Sequence, residues 1–293
     1  MKRTARLAIC KLAGALSTCA RWLYGCAKRG EASRSLHRVQ GGRELFRTPD
    51  KFLFWLDRRS TVDQCIIRDG VFEQNGTAMV KRLVKPGQTV LDIGANIGYY
   101  TVLLSRLVGP QGMVHAFEPT THFSDVLDRN LRENGVTNCE LHHFGFSDRT
   151  RRGNIKINES SATLHMPADC PGCEQQAISL TTLNAFAAQS RIKTVDFVKV
   201  DIDGHEPLFM EGAWRALAKW KPVLLLEVSN LHYSLAGFSA WDFYDTLKAK
   251  GYRIYREENL APYRDRIEFI RECGSYTTSA NIVLSLRPMA QGV

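Results

Sequence analysis

The chain of 293 residues has no run of about 18 uncharged apolar residues, so no segment reads as a membrane-spanning helix. No internal repeat or low-complexity tract is visible, which excludes solenoid and fibrous architectures. Cysteine is present (Cys10, Cys19, Cys26, Cys65, Cys139, Cys170, Cys173 and Cys273) but forms no regular framework. A chain this long needs no disulfides to fold, so reduced thiols in a cytosol are the expectation. Cys170 and Cys173 are spaced C-x-x-C, yet no second Cys or His pair stands at metal-site spacing. A structural zinc takes about four ligands, so this segment is read as a Pro-Gly turn and no metal is expected.

Acidic residues are missing from positions 2–29. The net charge of +9 is therefore local: residues 1–60 hold 14 Lys/Arg against 4 Asp/Glu, and the remainder is close to neutral. A neutral main body disfavours a nucleic-acid partner. Drawn as a helix, the leader sets Arg3, Arg6, Arg21 and Lys28 beside an apolar face of Ile9, Leu12, Leu16, Cys19, Leu23 and Cys26. That pattern suits the surface of an anionic membrane, and equally an amphipathic helix packed on a domain. Lys11 and Arg21 interrupt the apolar run and argue against a secretory signal. Residues 30–50, rich in Gly, Arg and Ser, read as a linker. The expected layout is a basic N-terminal segment and linker over 1–50 and one α/β domain over 51–290, in a cytoplasmic protein that is a candidate for peripheral membrane contact through residues 1–29.

What is present is a strand, a glycine turn and a helix. Thr89–Ile93 runs into Gly94-Ala-Asn-Ile-Gly98, and a helix follows from about Tyr99 to Val108. This order builds a seat for a nucleotide-like cofactor. The spacing Asp92-x-Gly94-x-Asn96-x-Gly98 lacks the third glycine of the dinucleotide fingerprint. A second strand, Met113–Phe117, ends on Glu118, 24 residues beyond Gly94. An acid at that strand tip can accept hydrogen bonds from ribose hydroxyls. A third strand over Cys139–Phe144 leads to Ser147 and Asp148, which could reach an adenine amino group or simply form a turn. Phe52–Trp55 and Cys65–Ile67 read as short strands, and Gly76–Val84 as a helix. Glu73 before that helix is open between a solvated helix start and a cofactor contact, and is carried among the cofactor candidates. Residues 150–180 break the βα rhythm and read as a flap-like insertion above the sheet edge. Val195–Val200 is an apolar strand ending in Asp201-Ile-Asp-Gly-His-Glu206, and Val223–Val228 another, carrying Glu227.

Taken in order, Asp-x-Gly-x-Asn-x-Gly, Phe117-Glu-Pro119, Ser147-Asp148 and Lys199-Val-Asp-Ile-Asp-Gly-His-Glu206 resemble the FkbM-like S-adenosylmethionine-dependent methyltransferases over about Gly70 to Asn230. Asp203-Gly204 stands where that family usually has Glu-Gly, and His205 where a small residue is more usual. The resemblance implies a Rossmann-like class I fold: a mostly parallel seven-stranded sheet with one antiparallel strand and helices on both faces. It implies S-adenosylmethionine lying across Gly94–Gly98, held by Asp92, Asn96, Glu118, Ser147, Asp148 and Asp201. It also implies O-methylation of a hydroxyl on a sugar or natural-product acceptor, a small molecule or saccharide. Such a hydroxyl must lose its proton as it attacks. The candidate bases are His205, Asp201 and Glu227, with His232 behind them. Two other readings stay open: a dehydrogenase-like nucleotide binder, against which the missing glycine and Asn96 count, and a non-catalytic binding module. The Asn/Asp-Pro-Pro-aromatic loop of base and glutamine N-methylating enzymes is absent.

Overall fold

The computed structural model describes residues 32–165 and 172–289. The N-terminal segment 1–29, with its expected membrane contact, lies outside the described residues. The strands are β1 (Arg34–Gln40), β2 (Arg43–Arg47), β3 (Leu53–Leu56), β4 (Thr89–Ile93), β5 (Met113–Phe117), β6 (Cys139–His142), β7 (Gly145–Phe146), β8 (Arg151–Ile157), β9 (Ala162–Thr163), β10 (Glu174–Thr181), β11 (Phe197–Val200), β12 (Val223–Val228), β13 (Arg253–Arg256) and β14 (Ala280–Ser285). The helices are α1 (Thr61–Asp69), α2 (Gln74–Leu83), α3 (Tyr99–Val108), α4 (Thr121–Glu133), α5 (Leu183–Gln189), α6 (Glu206–Trp220), α7 (Asn230–Ala236), α8 (Ala240–Ala249) and α9 (Arg266–Cys273).

The central sheet has seven strands in the order β13-β14-β12-β11-β4-β5-β6. All are parallel except β14, which runs antiparallel to both neighbours. This is the expected α/β, class I methyltransferase architecture. Its strands read as apolar runs because both faces are covered. Val90, Val114 and Ala116 join one core with Leu103, Leu104 and Leu127 of α3 and α4. Leu91, Ile93, Val198 and Val200 join the other with Phe209, Leu217, Leu247 and Phe269 of α6, α8 and α9. The strand order reverses between β4 and β11, and a ligand crevice is expected beyond the carboxyl ends of the strands at such a point.

Three expectations are corrected. Residues 34–47 are a β-hairpin, not a linker, and pair with β3 in a separate three-stranded sheet. Gly41 and Gly42 both take positive φ (59° and 76°), the conformation a tight hairpin demands, and Leu45 and Phe46 are buried. Cys65–Ile67 is helical, within α1. Ser60 caps that helix by accepting from the Asp63 amide, and Gly70 closes it in the left-handed region. Asp63 in turn holds the buried Arg43 guanidinium at 2.8 Å and fixes the hairpin to the helix. Cys139 and Cys273 are free thiols, whereas Cys173 is disulfide-bonded, contrary to the expectation of reduced thiols throughout. No described helix is long and apolar enough to cross a membrane.

Strands β7 to β10 form a third sheet, ordered β7-β10-β8-β9, whose main antiparallel pair is β8–β10. It is tied to the central sheet's carboxyl edge. Thr163 donates to the Asp203 carbonyl (2.9 Å), and Asn96 Nδ2 donates to the Ser160 carbonyl (3.1 Å).

Candidate active site

The turn after β4 is shaped by close backbone approach. Gly94 has φ 82°, and a Cβ there would lie 1.8 Å from the Asp201 carbonyl oxygen. No side chain fits, so the ends of β4 and β11 meet only because residue 94 is glycine. Gly98 (φ 89°) begins α3 against Leu127, whose Cδ1 would lie 2.2 Å from an added Cβ. Asn96 sits between them at φ 51°, a region where Asn is enriched. Its side chain accepts from the Ile97 amide (2.8 Å), and its own amide donates to Glu118 Oε2 (3.1 Å).

Glu118 is buried at the tip of β5. Its Oε1 accepts from the Thr120 amide (3.0 Å) and hydroxyl (2.6 Å). A carboxylate offers about four lone-pair sites. Three are used, which leaves one on Oε2 rather than the two that a pair of ribose hydroxyls would take. Burial pushes its pKa up, against these hydrogen bonds. Asp92 is likewise buried, with Oδ2 accepting from the Thr101 hydroxyl (2.6 Å) and Oδ1 without a protein partner.

Gly94, Asn96, Glu118 and Asp201 line one pocket, together with Asp203 and His205. Its remaining walls are apolar: Phe117, Phe123 and Phe146 from the central domain, and Ile155, Leu164 and Ile178 from the β8–β10 region. Ser147 and Asp148 are not on that wall. Ser147 is fully buried and donates to Asp148 (2.8 Å), and the pocket wall nearby is an aromatic and aliphatic slot.

His205 borders the pocket but is badly placed as a base. Its Nε2 lies 3.0 Å from Ser147 Oγ and its Nδ1 2.9 Å from His165 Nε2. Because the Ser147 hydroxyl donates to Asp148, His205 Nε2–H must donate to Ser147, and Nδ1 then accepts from His165. The one imidazole lone pair is occupied. Burial, reinforced by His165, pulls the His205 pKa down to about 3. The ring is a neutral strut between the insertion and the central sheet, which corrects its leading rank among the bases.

On the other side of β4 the strand ends are crowded with acids. Lys199 is 2% exposed within the all-buried strand β11; it pairs with Asp201 Oδ2 at 2.7 Å and lies 4.4 Å from the Tyr100 ring centre. The Tyr100 hydroxyl donates to Glu73 Oε2 (2.9 Å). Glu73 therefore belongs to this cluster and not to the pocket wall. Its pKa is raised by burial and held back by Lys199. Glu227, at the end of β12, is raised well above the usual carboxylate range by burial and by Asp201, Asp203, Glu206 and Glu73. Burial lifts Asp203 to about 7 and Glu206 to about 8. Glu206 accepts from the amides of Ile202 (2.9 Å) and Gly204 (3.1 Å), so it shapes the turn that presents Asp201 and Asp203. His232 stands 3.9 Å from Asp203 Oδ1. Lys199, Tyr100, Asn281 and Glu257 complete this cluster and were not singled out from sequence.

The Methyltransferase FkbM domain matches residues 92–254, more than half of the chain. The chain belongs to the FkbM methyltransferase family. S-adenosylmethionine is the cofactor that goes with this family. The residues present suit such a ligand: a glycine seat no Cβ could enter, a spare Glu118 lone pair, an unpartnered Asp92 oxygen and an apolar slot. The chain is 41% identical over 51 residues to a protein-L-isoaspartate O-methyltransferase of Aeropyrum pernix, which is 17% of this chain and 20% of that one. Among solved structures it resembles the methyltransferase FkbM of Methylobacillus flagellatus (18% identity, TM-score 0.43, covering 71% of this chain and half of the other). It also resembles a SAM-dependent O-methyltransferase of Thermotoga maritima (15% identity, TM-score 0.44, covering 87% and 85%). The chain thus spans a fifth of the curated relative and half of the FkbM structure.

Proposed function

We propose that this protein is an S-adenosylmethionine-dependent methyltransferase acting on a hydroxyl of a sugar or natural-product acceptor. The observation that carries this reading is the arrangement of Gly94, Glu118 and Asp201 around one pocket at the sheet's switch point, in a chain of the FkbM family. The cofactor supplies an activated methyl on a sulfonium, and the protein's main task is alignment of the acceptor, which can contribute much of the acceleration. Glu118 holds the ribose through Oε2, Asp92 and Asp201 face the amino-acid end, and the slot between Phe146 and Ile178 takes the adenine.

The acceptor meets the acidic side. Glu73, Tyr100, Asp201, Glu227 and Asn281 supply hydrogen-bonding groups that suit a polyhydroxylated molecule. Glu227 is the base this arrangement favours, since His205 has no free lone pair and Asp201 is paired with Lys199. Burial and the neighbouring acids raise its proton affinity, the direction that strengthens a general base. A non-catalytic binding module would hold the cofactor equally well, so binding and transfer are measured separately. Calorimetry with S-adenosylhomocysteine, and tritiated methyl transfer into a fractionated extract, are run on wild type, Glu118→Ala and Glu227→Gln. Glu118→Ala should weaken binding about 10- to 100-fold, the worth of a hydrogen bond to a charged group. Glu227→Gln should bind normally and lose transfer. No binding at millimolar ligand would sink the reading, and equal labelling by Glu227→Gln would remove that base.

A further inference from the structure

Behind the aromatic wall, β5 and β6 bring three ligand-type side chains together. His115 on β5 pairs in register with Glu140 on β6, and His142 follows two residues later, so all three project from one face of the sheet. His115 Nδ1 lies 3.2 Å from His142 Nε2 and 3.4 Å from Glu140 Oε2, and His142 Nε2 lies 3.9 Å from Glu140 Oε1. One donor atom from each residue can be chosen so that all lie within 4.8 Å of one another. Zinc-class ions bind imidazole nitrogen and carboxylate oxygen at about 2.0–2.2 Å, so tetrahedral neighbours stand roughly 3.3–3.5 Å apart. The two imidazoles and the carboxylate are already close to that spacing.

Accessibility is graded in a useful way. The His115 and His142 side chains are 8% and 12% exposed, while Glu140 is 62% exposed. The rings would hold an ion from the protein side, with the carboxylate closing over it from solvent. None of the three residues lines the cofactor pocket. The two rings stack, with planes 25° apart, and their facing nitrogens share one proton. An ion replaces that proton, which moves to the outer nitrogen of its own ring.

We propose that His115, Glu140 and His142 form a binding site for one divalent transition-metal ion of the zinc class, with water completing the coordination. Two imidazoles and one carboxylate suit Zn²⁺, Co²⁺ or Ni²⁺ better than Mg²⁺ or Ca²⁺, which prefer all-oxygen shells. The site lies outside the cofactor pocket, behind Phe117, on which the His142 ring stacks at 4.5 Å.

The test uses the full chain, stripped with chelator, and titrated with Zn²⁺ by calorimetry and with Co²⁺ by absorption. Losing an outer-shell partner of a metal ligand costs 10–100-fold in affinity, so losing a ligand should cost at least about 100-fold. Wild type should bind one equivalent that Glu140→Gln and His142→Ala each weaken by that factor. Glu140→Gln keeps the test decisive if His142→Ala does not fold, because that side chain is mostly in solvent. No saturable binding by wild type, unchanged affinity in Glu140→Gln, or a thiolate-to-cobalt absorption band placing the ion on cysteine would each overturn the site.

Discussion

The two sides of the β4–β11 junction solve opposite problems. Toward β5 the strand tips carry one buried acid, Glu118, set in aromatic and aliphatic walls and satisfied by local donors. Toward β12 they carry Glu73, Asp201, Asp203, Glu206 and Glu227 around a single buried cation, Lys199. A lone acid with three donors can stay charged in the interior. Crowding and burial there raise the proton affinity of Glu73, Asp203, Glu206 and Glu227. On the function proposed above, the first side recognises the cofactor and the second moves the proton.

The largest effect should come from breaking the second side at its buried cation, Lys199. Lys199→Met leaves Asp201 and its neighbours without a counter-charge. Truncating one member of a buried ion pair typically costs about 3–5 kcal/mol. Chemical denaturation should show a loss of that size, and Asp201→Asn added to Lys199→Met should restore part of it. Additive losses would mean that the pair is not coupled.

A subtler contrast lies in the response to pH. Asp203 (ordinary value 3.8, raised to about 7) and Glu206 (4.5, raised to about 8) bind protons more tightly in the folded state. Their contribution is full below about pH 4 and is lost as pH rises through 7 to 8. His165 and His205 (6.5, lowered to about 4 and about 3) are neutral in the folded state. Their contribution is present above about 6.5 and is lost as pH falls toward 3. Between roughly pH 4.5 and 6.5 the two pairs oppose each other, so stability should be flat there and fall on both flanks. Thermal melts from pH 3 to 9 check this. Asp203→Asn should flatten the alkaline limb and leave the acid limb in place, and Asn is tolerated at that residue's φ of 49°.

The same division explains what could be read from sequence. The cofactor side was legible because parallel strands buried on both faces appear as apolar runs, and each run ends in a marked residue: Gly94, Glu118, Asp201. Lys199 did carry a signal, a charge inside the apolar Phe-Val-Lys-Val strand, but its partners Glu73 and Tyr100 are about a hundred residues away in sequence. The His165–His205 contact spans 40 residues and the His115–His142 contact 27, so no spacing rule brings either pair together. Two local signals were present and lost to competing ones. Gly41-Gly42 is a hairpin turn hidden by basic composition. Ser60-x-x-Asp63 is a helix cap hidden because the short run Cys65-Ile-Ile67 suits a strand as well as a helix.

The smallest expected change probes whether Asn96 serves the turn through its backbone or its side chain. Asn96→Gly keeps the positive φ at no steric cost. It gives up the side-chain hydrogen bonds to the Ile97 amide and the Ser160 carbonyl. The amide that donates to Glu118 is backbone and survives. Each lost bond is worth about 1 kcal/mol or less, and relief of the left-handed strain offsets part of that. Global stability should therefore move by less than about 1 kcal/mol and S-adenosylhomocysteine affinity by only a few-fold. Hydrogen exchange should, however, rise selectively at Asn158–Ser161, where Asn96 holds the Ser160 carbonyl while Thr61 holds the Ser160 hydroxyl. Unchanged exchange there would mean that the Thr163–Asp203 and Thr61–Ser160 contacts hold the insertion without Asn96, and that the cofactor side owes nothing to this side chain.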